Sequence, residues 1–257
     1  LHNALLLMSL PLLAFLALPL LALLLRASLP RVLIHLGSSA VLQAIGLSLV
    51  TSLGAVLATV LFGTPLAYGL AHHSLPARQV LDTLVDLPTV LPPAAAGVAL
   101  LMAFGRRGVL GSTLETMDIY IAFTPVAVVM AQTFVAAPFY IKAARIGFAS
   151  VDPEMEEASA LDGASGWQVF RYINLPLSWT ALLGGAVMTW ARALGEFGAT
   201  IIFAGNFPGR TQTMPLAIYL GFELDLDVAL ALSAILLGFS FVVLMLVKGL
   251  LQREVMQ

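Results

Sequence analysis

Long apolar runs separated by short polar ones dominate the chain, and six of these runs are long enough to cross a bilayer. They are Leu5–Leu25, Leu47–Leu70, Leu84–Phe104, Tyr120–Tyr140, Leu177–Ala204 and Val228–Val247. A helix rising about 1.5 Å per residue needs roughly 20 apolar residues to cover about 30 Å of hydrocarbon. Unpaired backbone amides are costly in lipid, so such uniform runs must be helical, and none alternates as a barrel strand would. The pattern predicts an all-α integral membrane protein with six transmembrane helices. The second span can start nearer Val41, behind a short interfacial helix, because residues 36–71 carry no formal charge. Residues 1–25 lack Lys, Arg, Asp and Glu, and show neither a basic leader nor a clear cleavage pattern. They are expected to remain as the first span. The layout is then one membrane domain over 1–257, with 1–40 forming the first span and an external linker and 41–250 a five-span core.

Proline interrupts this regularity at the third run. Pro88, Pro92 and Pro93 fall within six residues at its entry. They remove amide donors and push the preceding residues away from α geometry. The start is expected to be kinked, broken or re-entrant, with the opened backbone facing protein or water. An even number of spans puts both ends on one side. Arg78, Lys142, Arg145, Arg171, Lys248 and Arg253 lie on that side, against Arg26, Arg31, Arg106, Arg107 and Arg210 on the other. This slight surplus places both termini and the loops 71–82 and 141–172 in the cytoplasm.

The polar stretch 143–176 has helical structure of its own. Asp152 suits an N-cap, Pro153 the first helical position, and Glu154, Glu156 and Glu157 the opening turns. The helix is expected over Pro153–Asp162, with Gly163 just beyond it to take a positive φ and turn the chain. A second short helix, about Ser165–Tyr172, brings Trp167, Phe170 and Tyr172, and Leu175-Pro176 opens the fifth span. An aromatic-rich elbow at 150–172 is either a docking site for a soluble partner or packing for its own membrane domain.

Composition narrows the function classes. Of 257 residues, 60% are hydrophobic and 10% charged, against roughly 25% charged in a soluble domain. There is no cysteine, so thiol nucleophiles and cysteine metal sites are excluded, and His2, His35, His72 and His73 make no ligand pattern. His72-His73 reads as polar loop material. The net charge of -2 gives no surface for nucleic acid.

Glu157-Ala158-Ser159, three residues, Gly163, nine residues, Ile173-x-Leu175-Pro176 resembles the EAA loop of ABC importer permeases, with Ser159 in place of the third alanine. Leu87–Pro93 followed by Ala94-Ala95-Ala96-Gly97 resembles the LPxxLPPxxxG stretch of molybdate and sulfate permeases. Residues 190–200, which include Arg192-Ala193-Leu194-Gly195-Glu196-Phe197-Gly198-Ala199, resemble their RALGEFGA segment, and 208–219 the stretch before their final helix. The resemblance runs from about Ile45 to the end. It implies the transmembrane domain of a type I ABC importer, most similar to molybdate/tungstate permeases, in a bacterial inner or archaeal cell membrane. It further implies two permease copies, though sulfate relatives often pair two different ones. Two cytoplasmic ATPases that hold ATP and magnesium, and an extracytoplasmic oxyanion-binding protein, complete the expected assembly. No cofactor is expected on this chain. Asp152, Glu156, Glu157, Ala158, Ser159, Gly163, Trp167, Leu175 and Pro176 would then couple the chain to the ATPase, and Pro88, Pro92, Pro93, Arg192 and Glu196 would lie along the pathway or its gate.

Arg192 and Glu196 are the charges within the fifth run, spaced i,i+4 so that they can pair. A lone charge at that depth costs at least about 2.5 kcal/mol. The pair reads either as a salt bridge fixing a helix interface or as an arginine lining an anion route. Lys142 and Lys248, the only lysines, lie in no glycine-rich phosphate loop, so nucleotide hydrolysis is expected on a separate subunit and this chain is no enzyme by itself. An ion-coupled secondary transporter should show paired broken helices in inverted repeats. A structural membrane protein would use Arg192 and Glu196 only as helix glue.

Overall fold

Apolar runs became helices almost throughout the computed structural model, which describes residues 2–27, 29–72 and 77–255; His73 lies outside them. Among the described residues there is no strand. In chain order the helices are α1 (His2–Arg26), α2 (Leu29–Leu36), α3 (Ser39–His72), α4 (Arg78–Val90), α5 (Pro93–Phe104), α6 (Gly111–Thr116) and α7 (Pro125–Ala149). There follow α8 (Pro153–Leu161), α9 (Gly166–Val169), a π turn over Phe170–Asn174, α10 (Leu175–Leu177) and α11 (Trp179–Leu194). The last three are α12 (Gly198–Phe203), α13 (Met214–Leu224) and α14 (Leu226–Val255).

Four helices, α1, α3, α7 and α14, are each long and apolar enough to cross a bilayer, and a bent pair, α4 with α5, makes a fifth candidate. Several expected spans differ in extent. α3 runs unbroken for 34 residues from Ser39, well before Leu47. α7 begins at Pro125 instead of Tyr120, because Thr124 caps it by accepting from the Ala127 amide and Pro125 takes the first helical position. It ends at Ala149, so Lys142 and Arg145 belong to a helix and the connecting stretch starts at 150 instead of 141.

Two runs are broken. Between α4 and α5 the axis turns by 118°, where Leu91 and Pro92 take extended backbone angles. α4 is tied to α7 by two ion pairs: Asp82 pairs with Arg145 and Asp86 with Lys142 at 2.8 Å, both partners on α7. The fifth run, expected as one helix over Leu177–Ala204, splits at 195–197 into α11 and α12.

α7 is the centre of the bundle. Its faces pack on α3, α11, α4 and α12. One cluster joins Ala96 and Leu100 of α5 to Ala127, Val128, Ala131 and Val135 of α7 and Ala199 and Phe203 of α12. Another joins Ala67 and Leu70 of α3 to Tyr140, Ala144 and Phe148 of α7 and Leu182 of α11. The alanines let helices approach closely, which is how packing substitutes for hydrophobic drive inside lipid. α1 stands on α14 with its apolar surface outward.

Candidate functional site

The elbow between α7 and α11 projects from one end of the bundle. Asp152 caps α8 by accepting from the Glu154 amide at 3.0 Å, with Pro153 next and Glu154 and Glu156 in the first turn. α8 ends at Leu161, one residue short of the expected Asp162, which is its C-cap. Gly163 has φ +91, its amide reaches Ala160 O at 3.1 Å, and the Ala164 amide reaches Ser159 O at 3.0 Å. This double closure with a left-handed residue is a Schellman motif, and it sets the sharp turn.

The second half of the elbow is capped by a feature absent from the sequence reading. Ser165 accepts from the Gln168 amide while the Gln168 side chain accepts from the Ser165 amide at 2.7 Å. The S-x-x-Q spacing carries that signal. The expected helix over Ser165–Tyr172 is shorter, α9, and continues through the π turn into α10, where Pro176 takes an early helical position.

Outward, the elbow offers an apolar face: Met155, Leu161, Trp167 and Tyr172 are exposed, Trp167 by 69% and Tyr172 by 72%. Glu157, Ala158 and Gly163 are exposed as well, and α8 has no buried residue. Inward, the elbow grips the end of α3. His72 Nε2 lies 2.8 Å from Glu156 Oε1. The Asn174 amide donates to the Tyr68 hydroxyl at 3.2 Å, and Phe170 packs edge-on against Tyr68 at 4.9 Å. His72 is therefore helical and paired, which corrects its assignment to a polar loop. The packing reading of the elbow therefore holds on its inward face, and its outward face is exposed in the single chain.

In the bundle interior the two proline- and glycine-marked segments come together. A Cβ on Gly198 would lie 2.6 Å from the Pro93 Cβ, and one on Gly97 would lie 2.7 Å from the Ile202 Cβ and 2.8 Å from the Ala199 carbonyl oxygen. The start of α5 thus seats directly on α12. Pro88 is buried, whereas Pro92 and Pro93 are exposed on the single chain.

Arg192 and Glu196 pair at 2.8 Å, but not along a continuous helix. Glu196 sits in the break after α11, and its Oε1 accepts from the Ala199 amide at 2.9 Å, capping α12. Its side chain is 1% exposed, whereas that of Arg192 is 30% exposed. The carboxylate is sequestered and the guanidinium reaches the open face. Sequence reasoning also missed Gln132, a fully buried amide on α7 whose two polar atoms find no partner among the described residues.

At the opposite end from the elbow, a cavity of about 360 Å³ is lined by Arg106, Glu115, Tyr120, Thr124 and Arg210, among others. The Arg106 guanidinium sits over the Tyr120 ring at 4.8 Å. The cavity walls are the end of α5, α6 and the stretch 119–124 before α7, with Arg210 added from the loop before α13. Among the described residues no cluster of His, Asp and Glu could hold a metal.

Residues 60–255 match the family described as "Binding-protein-dependent transport system inner membrane component". The probable transport system permease protein NifC of Clostridium pasteurianum is 41% identical over 208 residues, 80% of this chain and 73% of that protein. The molybdenum transport system permease protein ModB of Mycobacterium tuberculosis (strain ATCC 25618 / H37Rv) is 40% identical over 222 residues, 86% and 84% of the two chains. The sulfate transport system permease protein CysW of Synechococcus elongatus is 34% identical over 220 residues, 86% and 77%. Among solved structures, a bacterial alginate ABC transporter in complex with an alginate pentasaccharide-bound periplasmic protein superposes with a TM-score of 0.77 at 19% identity, covering 98% of this chain and 94% of that one. The MetNI methionine ABC transporter gives 0.62 at 15%, covering 88% and 98%.

Proposed function

The chain belongs to the family of binding-protein-dependent transport system inner membrane components, and from that premise we propose that it moves molybdate or tungstate inward. It is a multi-pass, non-catalytic permease subunit of an ABC importer. One observation carries the substrate: identity is 40–41% to the molybdenum permeases and NifC but 34–37% to the sulfate permeases. Sulfate is the second reading, favoured by the same family of relatives and by the small difference between these tetrahedral dianions.

Two copies of the chain would enclose the path on a twofold axis, the common closed arrangement. Two ATPases carrying ATP and magnesium would sit below, against Glu157, Ala158, Ser159, Gly163 and the exposed Trp167, on the cytoplasmic side with both termini. Asp152 and Glu156 shape and anchor α8, and Leu175 and Pro176 join it to α11. An extracytoplasmic oxyanion-binding protein would deliver substrate at the end bearing Arg106 and Arg210. The half-exposed Arg192 and the open start of α5 at Pro92 and Pro93 mark the face turned to the path, since a guanidinium at that depth needs water or protein. Glu196 offsets the charge of Arg192, so an anion there would be passed on and not trapped.

The test is reconstitution in proteoliposomes with the partner ATPase and binding protein. Molybdate and tungstate should stimulate ATP hydrolysis at micromolar levels at which sulfate does not. Stimulation by sulfate alone would replace the first reading with the second.

A further inference from the structure

The elbow touches the bundle through a small set of polar contacts that converge on the last turn of α3. His72 is the terminal residue of that helix, and its ring stacks on Tyr68 with centroids 4.3 Å apart. Nε2 faces Glu156 Oε1 at 2.8 Å and Nδ1 faces the Tyr68 carbonyl at 3.3 Å. Both nitrogens therefore face oxygens, and the two contacts fix the ring between α8 and its own helix. Tyr68 in turn takes the Asn174 amide on its hydroxyl, and Asn174 is fully buried. Phe148 at the end of α7 meets Tyr68 edge-on at 5.4 Å. One end of α3 is thus held from two sides, by α8 through Glu156 and by the π turn through Asn174.

Apart from the partly covered Ser159, the rest of α8 is exposed, and the Glu156 carboxylate is a polar tie from α8 to the bundle. The pair itself is partly covered, at 17% and 23% exposure, and is less screened than a surface pair.

We infer that the His72–Glu156 side-chain contact, backed by the Tyr68–Asn174 hydrogen bond, is the joint through which displacement of the elbow moves α3, and that His72 is a positioning residue for coupling. This rests on the reading of the elbow as the ATPase contact. A docked ATPase pushes on α8 from outside; without the joint, α8 would yield about its Gly163 turn and α3 would stay where it is. A residue that only stabilised the fold would change complex assembly and basal ATP hydrolysis along with the stimulation, whereas loss of a joint lowers the stimulation and leaves those two in place.

The experiment uses the full complex in proteoliposomes and reads the stimulation of ATP hydrolysis by molybdate-loaded binding protein. His72→Ala should lower that stimulation roughly five- to tenfold, the scale of a typical coupling between sites. His72→Lys, which offers Glu156 a donor, should retain most of it. The exchanged pair His72→Glu with Glu156→Lys should recover at least half, while either exchange alone should not. A second arm exploits the lack of native cysteine. His72→Cys with Glu156→Cys should be uncoupled as dithiol and recoupled when a short bifunctional thiol reagent bridges the two. Wild-type stimulation in His72→Ala and in the dithiol, with single-cysteine crosslinks at Glu157 still reaching the ATPase, would overturn the joint and leave the docking reading intact. Absence of any such crosslink in a coupled assembly whose only change is Glu157→Cys would overturn the docking reading, and the joint with it.

Discussion

Glu196 is a carboxylate withdrawn from solvent at the point where a helix stops and restarts. Two partners make that tolerable: the Arg192 guanidinium at 2.8 Å and the Ala199 amide at 2.9 Å. Removing one partner of a buried pair strands the other, at a cost of about 3–5 kcal/mol. Arg192→Ala should therefore lower the melting temperature of the purified protein in detergent clearly more than Glu196→Gln, since a glutamine oxygen still accepts from Ala199. Equal melting of both variants and wild type would show that the pair carries no structural weight. Gly97 gives a second contrast. Its missing Cβ makes room for the backbone of α12, and Gly97→Ala meets the Ala199 oxygen at 2.8 Å. Overpacking of this kind costs about 1–3 kcal/mol. At Gly166, where a Cβ meets nothing within 4 Å, the same change should be close to neutral in the same melting assay.

At the scale of elements, the turn after α8 should be the most sensitive place in the elbow. Gly163 has open space around it, so the difficulty for any side chain is its φ of +91 and not a clash. For a β-branched residue that backbone region is an outlier. Gly163→Val should leave membrane insertion intact while reducing substrate-stimulated ATP hydrolysis by on the order of tenfold. Unchanged stimulation would separate the turn from coupling. The elbow was legible in the sequence because its signals are local: Asp152-Pro153, the acidic first turn and Gly163 each act within a few residues. The break in the fifth run was not. Residues 177–204 are apolar enough for one helix, and the split at 195–197 depends on Glu196 finding the Ala199 amide and on α5 seating against Gly198. Residues 119–123 likewise suit a span, yet the cap at Thr124 starts α7 later. The prolines at 92 and 93 announced a break, but its 118° angle accompanies contacts of α4 with α7 and of α5 with α12, which are distant in the chain.

Across the whole molecule the buried clusters lie between α3 and α14, and α1 stands outside them. α1 is apolar and exposed along its described side chains, and the family match begins at residue 60. A chain lacking residues 1–27 should still insert and co-purify with the partner ATPase; its absence from membranes would give α1 a role in assembly. The length of α3 bears on the same whole. Its 34 residues make a rod of about 51 Å, roughly 20 Å more than the hydrocarbon thickness. A lean of about 10° around its midpoint would sweep the His72 tip through an arc of roughly 4 Å, most of a helical turn. On the proposed coupling such an overhang would act as a gear: slight rocking at mid-bilayer and a larger stroke at the His72 end would be one motion, read at two radii.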